Sequence, residues 1–61
     1  MHHPLTHYFQ YKHLPEHLQV ISKPLCDLAE LMDKELLPHI EKDVGMRKLL
    51  EAKECFVRAN L

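Results

Sequence analysis

Apolar residues recur along this chain at the spacing of one helix face, and this pattern predicts a helical fold. We call each such series of residues a ladder. The first ladder consists of Leu14, Leu18, Ile21, Leu25, Leu28, Met32 and Leu36. Because its steps alternate between four and three, these side chains share one face of an α-helix that packs along a seam. The pattern predicts a first helical segment over residues 14–37, and Pro38 ends it.

Pro24 interrupts the first ladder at its middle. A proline there removes the hydrogen bond to the carbonyl of Val20 and pushes Lys23 away from helical geometry. Two outcomes are open: one helix kinks over residues 20–24, or a short helix ends near Ser22 and a longer one begins. The ladder itself continues, so both versions run in roughly one direction.

A second ladder predicts a second helix over residues 39–60. Its members are Gly45, Leu49, Ala52, Phe56 and Ala59. A short connection between the two segments makes them antiparallel neighbours. The small residues of this ladder recur every seven positions, which suits either ordinary hairpin packing or close crossing by a helix of another subunit. The predicted fold is all-α: one domain over residues 1–61, with an N-terminal arm over 1–13 and a helical hairpin that is kinked or broken at Pro24.

The chain is small enough that its core needs support. A domain of about 60 residues buries only about 60% of its unfolded surface, so small folds usually carry a staple or an oligomeric interface. Cys26 and Cys55 lie within helical patterns and resemble no disulfide framework, so we interpret both as reduced, buried, cytosolic thiols. Oligomerisation is then the expected support.

Charge and composition exclude several classes of function. The formal net charge is −1 with acids and bases mixed, which argues against a DNA or RNA binder. No apolar run approaches the length of about 18 residues that a membrane span needs.

Neither a metal site nor a catalytic constellation is expected. His13 and His17 have a helical spacing, but Pro15 separates them, and no zinc-binding motif is present. The chain has one serine and one threonine, neither in a nucleophile motif. The acidic residues of the first segment fall largely off the ladder and suggest a solvated face: Asp27, Glu30, Asp33 and Glu35. We therefore predict no enzyme activity, no cofactor and no metal.

The arm holds three of the chain's four aromatic residues: Tyr8, Phe9 and Tyr11. Flat rings can stack on nucleobases, at about 1–3 kcal/mol per base. The ammonium groups of Lys12 and Lys23 can contact phosphate, and Ser22 could add a hydrogen bond. Packing of the aromatic residues on a neighbouring helix is the alternative.

The same residues carry a likeness to a known family. The runs His7-Tyr8-Phe9, His13-Leu14-Pro15, Leu18-Gln19, Ser22-Lys23-Pro24 and Asp27-Leu28-Ala29 resemble the phage anti-CBASS cyclic-oligonucleotide sponge family, in its short form from T-even-like phages. The runs Gly45-Met46-Arg47-Lys48-Leu49-Leu50-Glu51-Ala52-Lys53 and Cys55-Phe56-Val57-Arg58-Ala59 extend the likeness to residues 7–59.

The resemblance implies a homohexamer in the cytoplasm of the infected bacterium. Such a protein would sequester cyclic dinucleotides such as 3′,3′-cGAMP without cleaving them, and so block CBASS immunity. In the family, a tyrosine of the arm stacks on a base and a lysine fifteen residues later contacts phosphate. Tyr8 and Lys23 have that separation, whereas Tyr11 would be paired with Cys26. Phe9 and Tyr11 are then expected to line the wall of the ligand site, with a smaller role than Tyr8.

Binding of cyclic trinucleotides stays open, because Leu25 stands where a hydroxyl-bearing residue would be expected. The rival hypothesis is a small oligomeric interaction module whose aromatic arm docks a partner protein.

Overall fold

The computed structural model describes residues 3–61 and contains three helical elements. A 3-10 helix spans Pro4–Phe9, helix α1 spans Glu16–Glu35 and helix α2 spans Ile40–Ala59. No strand occurs among the described residues. The all-helical prediction is confirmed, with an N-terminal arm and two packed helices.

Helix α1 runs without a break through Pro24. The carbonyl of Pro15 accepts from the backbone N–H groups of Leu18 at 2.9 Å and Gln19 at 3.0 Å, which begins the helix. Glu16 follows in the first turn, where the helix dipole favours an acidic group. Of the two outcomes left open by the sequence, the broken helix is therefore wrong. Packing of α1 against the arm and α2 outweighs the one hydrogen bond that proline removes.

Four residues connect the helices and turn the chain into an antiparallel hairpin. His39 caps the start of α2, because its Nδ1 accepts from the backbone N–H of Glu41 at 3.0 Å. At the other end of the hairpin, Asn60 Nδ2 donates to the carbonyl of His17 at 2.9 Å. The end of α2 thus lies beside the start of α1.

A buried ion pair fixes the turn of the hairpin. Lys42 Nζ lies 2.9 Å from Asp33 Oδ1, and both side chains are more than nine-tenths buried. The same ammonium donates to the backbone carbonyls of Asp33 at 3.0 Å and Leu36 at 2.9 Å. Carbonyl groups in the last turn of a helix lack intrahelical partners, so Lys42 of α2 completes the end of α1.

The arm is tied to the same cluster. The backbone N–H of His3 donates to Asp33 Oδ2 at 2.8 Å, and the His3 ring lies 2.6 Å from Asp43 Oδ1 through Nε2. His3 Nδ1 accepts from the backbone N–H of Leu5 at 3.1 Å and caps the 3-10 helix. One residue of the arm therefore contacts both helices of the hairpin.

The core lies between the arm and the two helices. Its buried hydrophobic residues are Phe9, Cys26, Ala29 and Met46, with Leu5, Tyr11, Met32, Leu49 and Leu50 packed around them. Phe9 is fully buried and is the largest side chain at the centre. Burying such a side chain contributes about 1.5–3 kcal/mol, a large share for so small a domain.

The most buried face of α1 differs from the face that the first ladder predicts. The buried residues of this helix are Leu18, Ser22, Cys26, Ala29 and Asp33. Ladder residues Leu28 and Leu36 are exposed instead. The arm packs against α1 from one side and shifts the centre of burial toward Cys26. The expectation of a solvated Asp33 is wrong for the same reason, because this carboxylate shares the buried face and is neutralised by Lys42.

We predict an acid-dependent loss of stability that originates at Asp33. Hydrogen bonds from Lys42 and then from the backbone of His3 lower the pKa of Asp33 below the ordinary value of 3.8. A group with a lowered pKa contributes stability above its unfolded pKa and loses it as the pH falls through its folded pKa. The melting temperature should therefore drop as the pH falls below about 4.

Thermal melts followed by circular dichroism between pH 2 and 7 measure this effect. Asp33→Asn should melt at a lower temperature at neutral pH. Its melting temperature should also fall less steeply as the pH is lowered. Asp27→Asn, on the exposed side of the same helix, is the matched control and should follow the parent chain. If the melting temperature of Asp33→Asn falls with pH as steeply as that of the parent chain, other groups cause the pH dependence.

Candidate functional site

Two neighbouring aromatic residues of the arm differ sharply in burial. Phe9 is fully buried, whereas the Tyr8 side chain is 59% exposed. Successive residues of a 3-10 helix point about 120° apart, so one ring can anchor the arm while the next faces solvent. The His7 ring meets the Tyr8 ring edge-on, with centroids 5.7 Å apart and planes at 77°. A flat ligand can reach the remaining face of Tyr8.

Lys53 of α2 holds the backbone at this position. Its Nζ donates to the carbonyl of Tyr8 at 3.2 Å. A carbonyl occupies one of the three donor positions of an ammonium group, so the other positions can serve a ligand oxygen. Lys53 is therefore a cation at the backbone of Tyr8 in the same chain. The sequence reasoning missed it because the two residues are 45 positions apart.

A groove of about 570 Å³ opens between the end of the arm and α1. The arm contributes Gln10, Tyr11, Lys12 and His13, and α1 contributes Cys26, Asp27 and Glu30. Charges of both signs line this groove. Tyr11 is half-buried, packs on the core and lines one side of the groove.

Lys23 lies at the surface of α1 beside this groove. Its Nζ is 2.8 Å from Asp27 Oδ2, in an ion pair of which both side chains are more than half exposed. The hydrogen bond and charge of Asp27, with a smaller contribution from Tyr11, raise the pKa of Lys23. The ammonium is thus fully charged at neutral pH. Its ion-pair partner in the same chain is Asp27, whereas Tyr8 contacts His7 through its ring and Lys53 through its backbone carbonyl.

Two of the predicted contact residues lie in the interior. Ser22 is fully buried on the packed face of α1, where a ligand at the surface does not touch it. Phe9 belongs to the core rather than to a pocket wall. Their neighbours in the sequence suggest contact with a ligand, but the rotation of each helix directs both side chains inward. Lys12, by contrast, lines the groove.

The two cysteines occupy different environments, and the expectation that both are buried is wrong for Cys55. Both are free thiols, with Cys26 buried and Cys55 exposed on α2. Burial, followed by the charge and hydrogen bond of Glu30, raises the pKa of Cys26. Its Sγ donates to Glu30 Oε1 at 3.6 Å. Cys26 therefore stays a protonated core thiol at the base of the groove.

Two further features bear on the chemistry available to the chain. Among residues 3–61, no three histidine, cysteine or carboxylate side chains are placed to hold one metal ion. Neither of the helices in this range has the length and hydropathy that crossing a membrane requires.

No protein-family model matches the chain, and no curated protein or solved structure matches it either. The likeness to the anti-CBASS sponge family therefore stays a prediction from the residues.

We predict that Phe9 contributes strongly to the stability of the fold and that Tyr8 contributes little. Phe9→Ala leaves a cavity at the centre of the core and should cost roughly 3–5 kcal/mol, enough to unfold much of so small a domain. Tyr8→Ala removes an exposed ring and should change the free energy of unfolding by about 0.5 kcal/mol or less. Urea denaturation of both variants measures the difference. Equal destabilisation would mean that Tyr8 is also a core residue.

We also predict selective modification of the thiols. The thiolate is the reactive form, so the buried Cys26 with its raised pKa should react slowly. A chromogenic disulfide reagent should modify one thiol per chain in the native protein and two after denaturation. Cys55→Ser should abolish the native reaction, while Cys26→Ser should preserve it. Rapid modification of Cys26 in the native chain would contradict its burial.

Proposed function

We propose that this protein is a small oligomeric sponge that sequesters cyclic dinucleotides such as 3′,3′-cGAMP without cleaving them. The observation that carries the proposal is the exposed Tyr8 ring on an arm that the neighbouring Phe9 anchors in the core. An aromatic ring that the fold positions with an open face binds a flat ligand at a lower entropic cost than a ring on a disordered arm does. A nucleobase is a flat partner that suits such a ring.

Two lysines are candidates for contact with the phosphates of the ligand. Lys53 stands beside Tyr8 in the same chain, and Lys23 is an exposed, fully charged ammonium on α1. Lys23 is engaged by Asp27 at one donor position and keeps others for phosphate oxygens. In the proposed site, the Lys23 that accompanies a Tyr8 ring comes from a second chain.

A cyclic dinucleotide has approximate two-fold symmetry, with two bases and two phosphates. A two-fold interface presents the same patch twice, so a Tyr8 and a Lys23 from each of two chains would hold the whole ligand. The resemblance suggests a homohexamer acting in the cytoplasm of an infected bacterium. There it would withhold the signal from the effector of CBASS immunity. The side chains proposed for this site stack on the bases and neutralise the phosphate charges. The ligand is therefore released without chemical change.

Native mass spectrometry of the full chain with 3′,3′-cGAMP tests the proposal. We expect ligand to be retained at micromolar concentration, and to be recovered intact when the complex is denatured. Absence of retained ligand would refute the sponge hypothesis. Recovery of linear products would make the protein a nuclease.

Variants test the residues. Tyr8→Ala and Lys23→Ala should each weaken retention by about 5- to 150-fold, because each removes roughly 1–3 kcal/mol of stacking or charge-assisted contact. Tyr8→Phe keeps the ring and should retain ligand. Lys34→Ala, in the last turn of α1, is the matched control for loss of an exposed cation from the same helix.

The rival hypothesis, an arm that docks a partner protein, predicts a different pattern. Under it, Lys23→Ala has little effect on activity, whereas Tyr8→Ala changes assembly or capture of the partner. Under the sponge hypothesis, both substitutions strongly weaken retention of the nucleotide and leave the oligomer intact.

A further inference from the structure

Asp27 binds the ammonium group that the proposed site uses for phosphate. Its Oδ2 lies 2.8 Å from Lys23 Nζ, one helical turn away on α1. Residues four apart on a helix are neighbours, so this carboxylate stays close to Lys23 when a ligand arrives. Both side chains are more than half exposed, which leaves the pair open to a ligand. A phosphate that binds Lys23 therefore meets a negative charge as well as a positive one.

A second carboxylate extends the negative charge along the same wall of the groove. Glu30 follows Asp27 by nearly one helical turn, and both residues line the groove between the end of the arm and α1. Glu30 accepts a hydrogen bond from the thiol of Cys26 at 3.6 Å. The side of the groove that α1 forms thus presents two acidic groups close to one lysine.

The thiol of Cys26, at the base of the groove, senses the balance of these charges. Burial is the largest cause of its raised pKa, and the charge and hydrogen bond of Glu30 come next, followed by the charge of Asp27. The charge of Lys23 acts in the opposite direction and has the smallest effect. At the base of the groove, the two carboxylates therefore outweigh the ammonium group.

Phosphate groups of nucleotides differ in the charge that they bring to such a position. A phosphodiester carries one negative charge, whereas a phosphomonoester carries about 1.5–2 negative charges at pH 7, because its second pKa is about 6. A cyclic dinucleotide contains phosphodiesters alone. Mononucleotides, and linear dinucleotides with a terminal phosphate, contain a phosphomonoester. A lysine without an acidic neighbour acts as a point charge and attracts the phosphomonoester more strongly.

We propose that Asp27 is a specificity residue that shifts the phosphate position at Lys23 toward phosphodiesters and away from phosphomonoesters. The site would then favour cyclic dinucleotides over linear dinucleotides and mononucleotides that carry a terminal phosphate. Specificity arises here from a repulsive group that weakens binding of the competitor more than binding of the intended ligand. The inference rests on the proposed function and adds to it a residue that selects among nucleotides.

The geometry of the ammonium group sets the size of the effect. Its donor positions point to the corners of a tetrahedron, so a phosphate oxygen and Asp27 Oδ2 on the same Nζ would lie about 4.6 Å apart. In water, repulsion between two unit charges at this distance weakens binding about fivefold. The second charge of a phosphomonoester adds about one more factor of five. Asp27 should therefore improve the preference for phosphodiesters by about fivefold.

Isothermal titration calorimetry of the full chain with two probes tests the inference. The probes are 3′,3′-cGAMP and the linear dinucleotide pGpA, which has the same two bases and a terminal phosphate. The selectivity is the Kd for pGpA divided by the Kd for 3′,3′-cGAMP. In Asp27→Asn this ratio should fall about fivefold, because asparagine keeps the size of the side chain and removes its charge. The affinity for 3′,3′-cGAMP itself should rise by about fivefold or less.

Glu35→Gln is the matched control, because it also removes one exposed acidic charge from α1. Glu35 lies about 18 Å from Lys23 along the helix. That distance exceeds the screening length of about 8 Å at physiological ionic strength. The selectivity of Glu35→Gln should therefore equal that of the parent chain. Circular dichroism checks that both variants remain helical.

The outcomes separate this inference from the proposed function. If the parent chain binds neither probe, the proposed function is refuted and the inference falls with it. If the parent chain binds 3′,3′-cGAMP but Asp27→Asn has the same selectivity, or still binds no pGpA, the role of Asp27 alone is refuted. An equal fall in Asp27→Asn and Glu35→Gln would also overturn it, because the effect would then come from the net charge of the chain.

Discussion

Burial of Phe9 is the interaction on which the rest of the structure depends. Two helices of 20 residues share a narrow contact, and α2 by itself supplies one fully buried hydrophobic residue, Met46. The arm adds a large aromatic ring that touches both helices through the core. It thereby changes a two-helix hairpin into a three-element domain. The same insertion rotates the buried face of α1 and leaves the opposite side of the hairpin to other contacts.

Polar interactions at the turn set the position of the arm relative to the helices. Asp33 accepts from Lys42 of α2 and from the backbone of His3 in the arm, so one carboxylate joins three elements. A buried ion pair contributes little net stability compared with an apolar pair, but it tolerates few alternative arrangements. We infer that this cluster specifies how the hairpin closes and where the arm begins, while Phe9 supplies the stabilising burial.

The periodicity of the sequence was sufficient to predict the helices but not to predict the candidate site. The ladders predict two antiparallel helices because apolar spacing is a local property. They do not reveal that α1 continues through Pro24, since the balance between one lost hydrogen bond and tertiary packing is decided by the whole fold. The placement of Tyr8 in the arm could be predicted as well. The burial of Ser22 and Asp33 could not, because it depends on which side of α1 the arm covers, and the neighbours Lys53 and Lys42 come from distant positions.

The 3-10 geometry of the arm makes its residues intolerant of changes in spacing. Tyr8 and Phe9 are adjacent, and one turns outward while the other enters the core. Inserting or deleting a single residue between His3 and Phe9 would rotate the arm by about a third of a turn relative to its anchor points. An insertion would then direct Tyr8 toward the core, and a deletion would direct Phe9 toward solvent. Among variants of this chain, the arm should therefore vary in residue identity at its exposed positions while keeping its length constant.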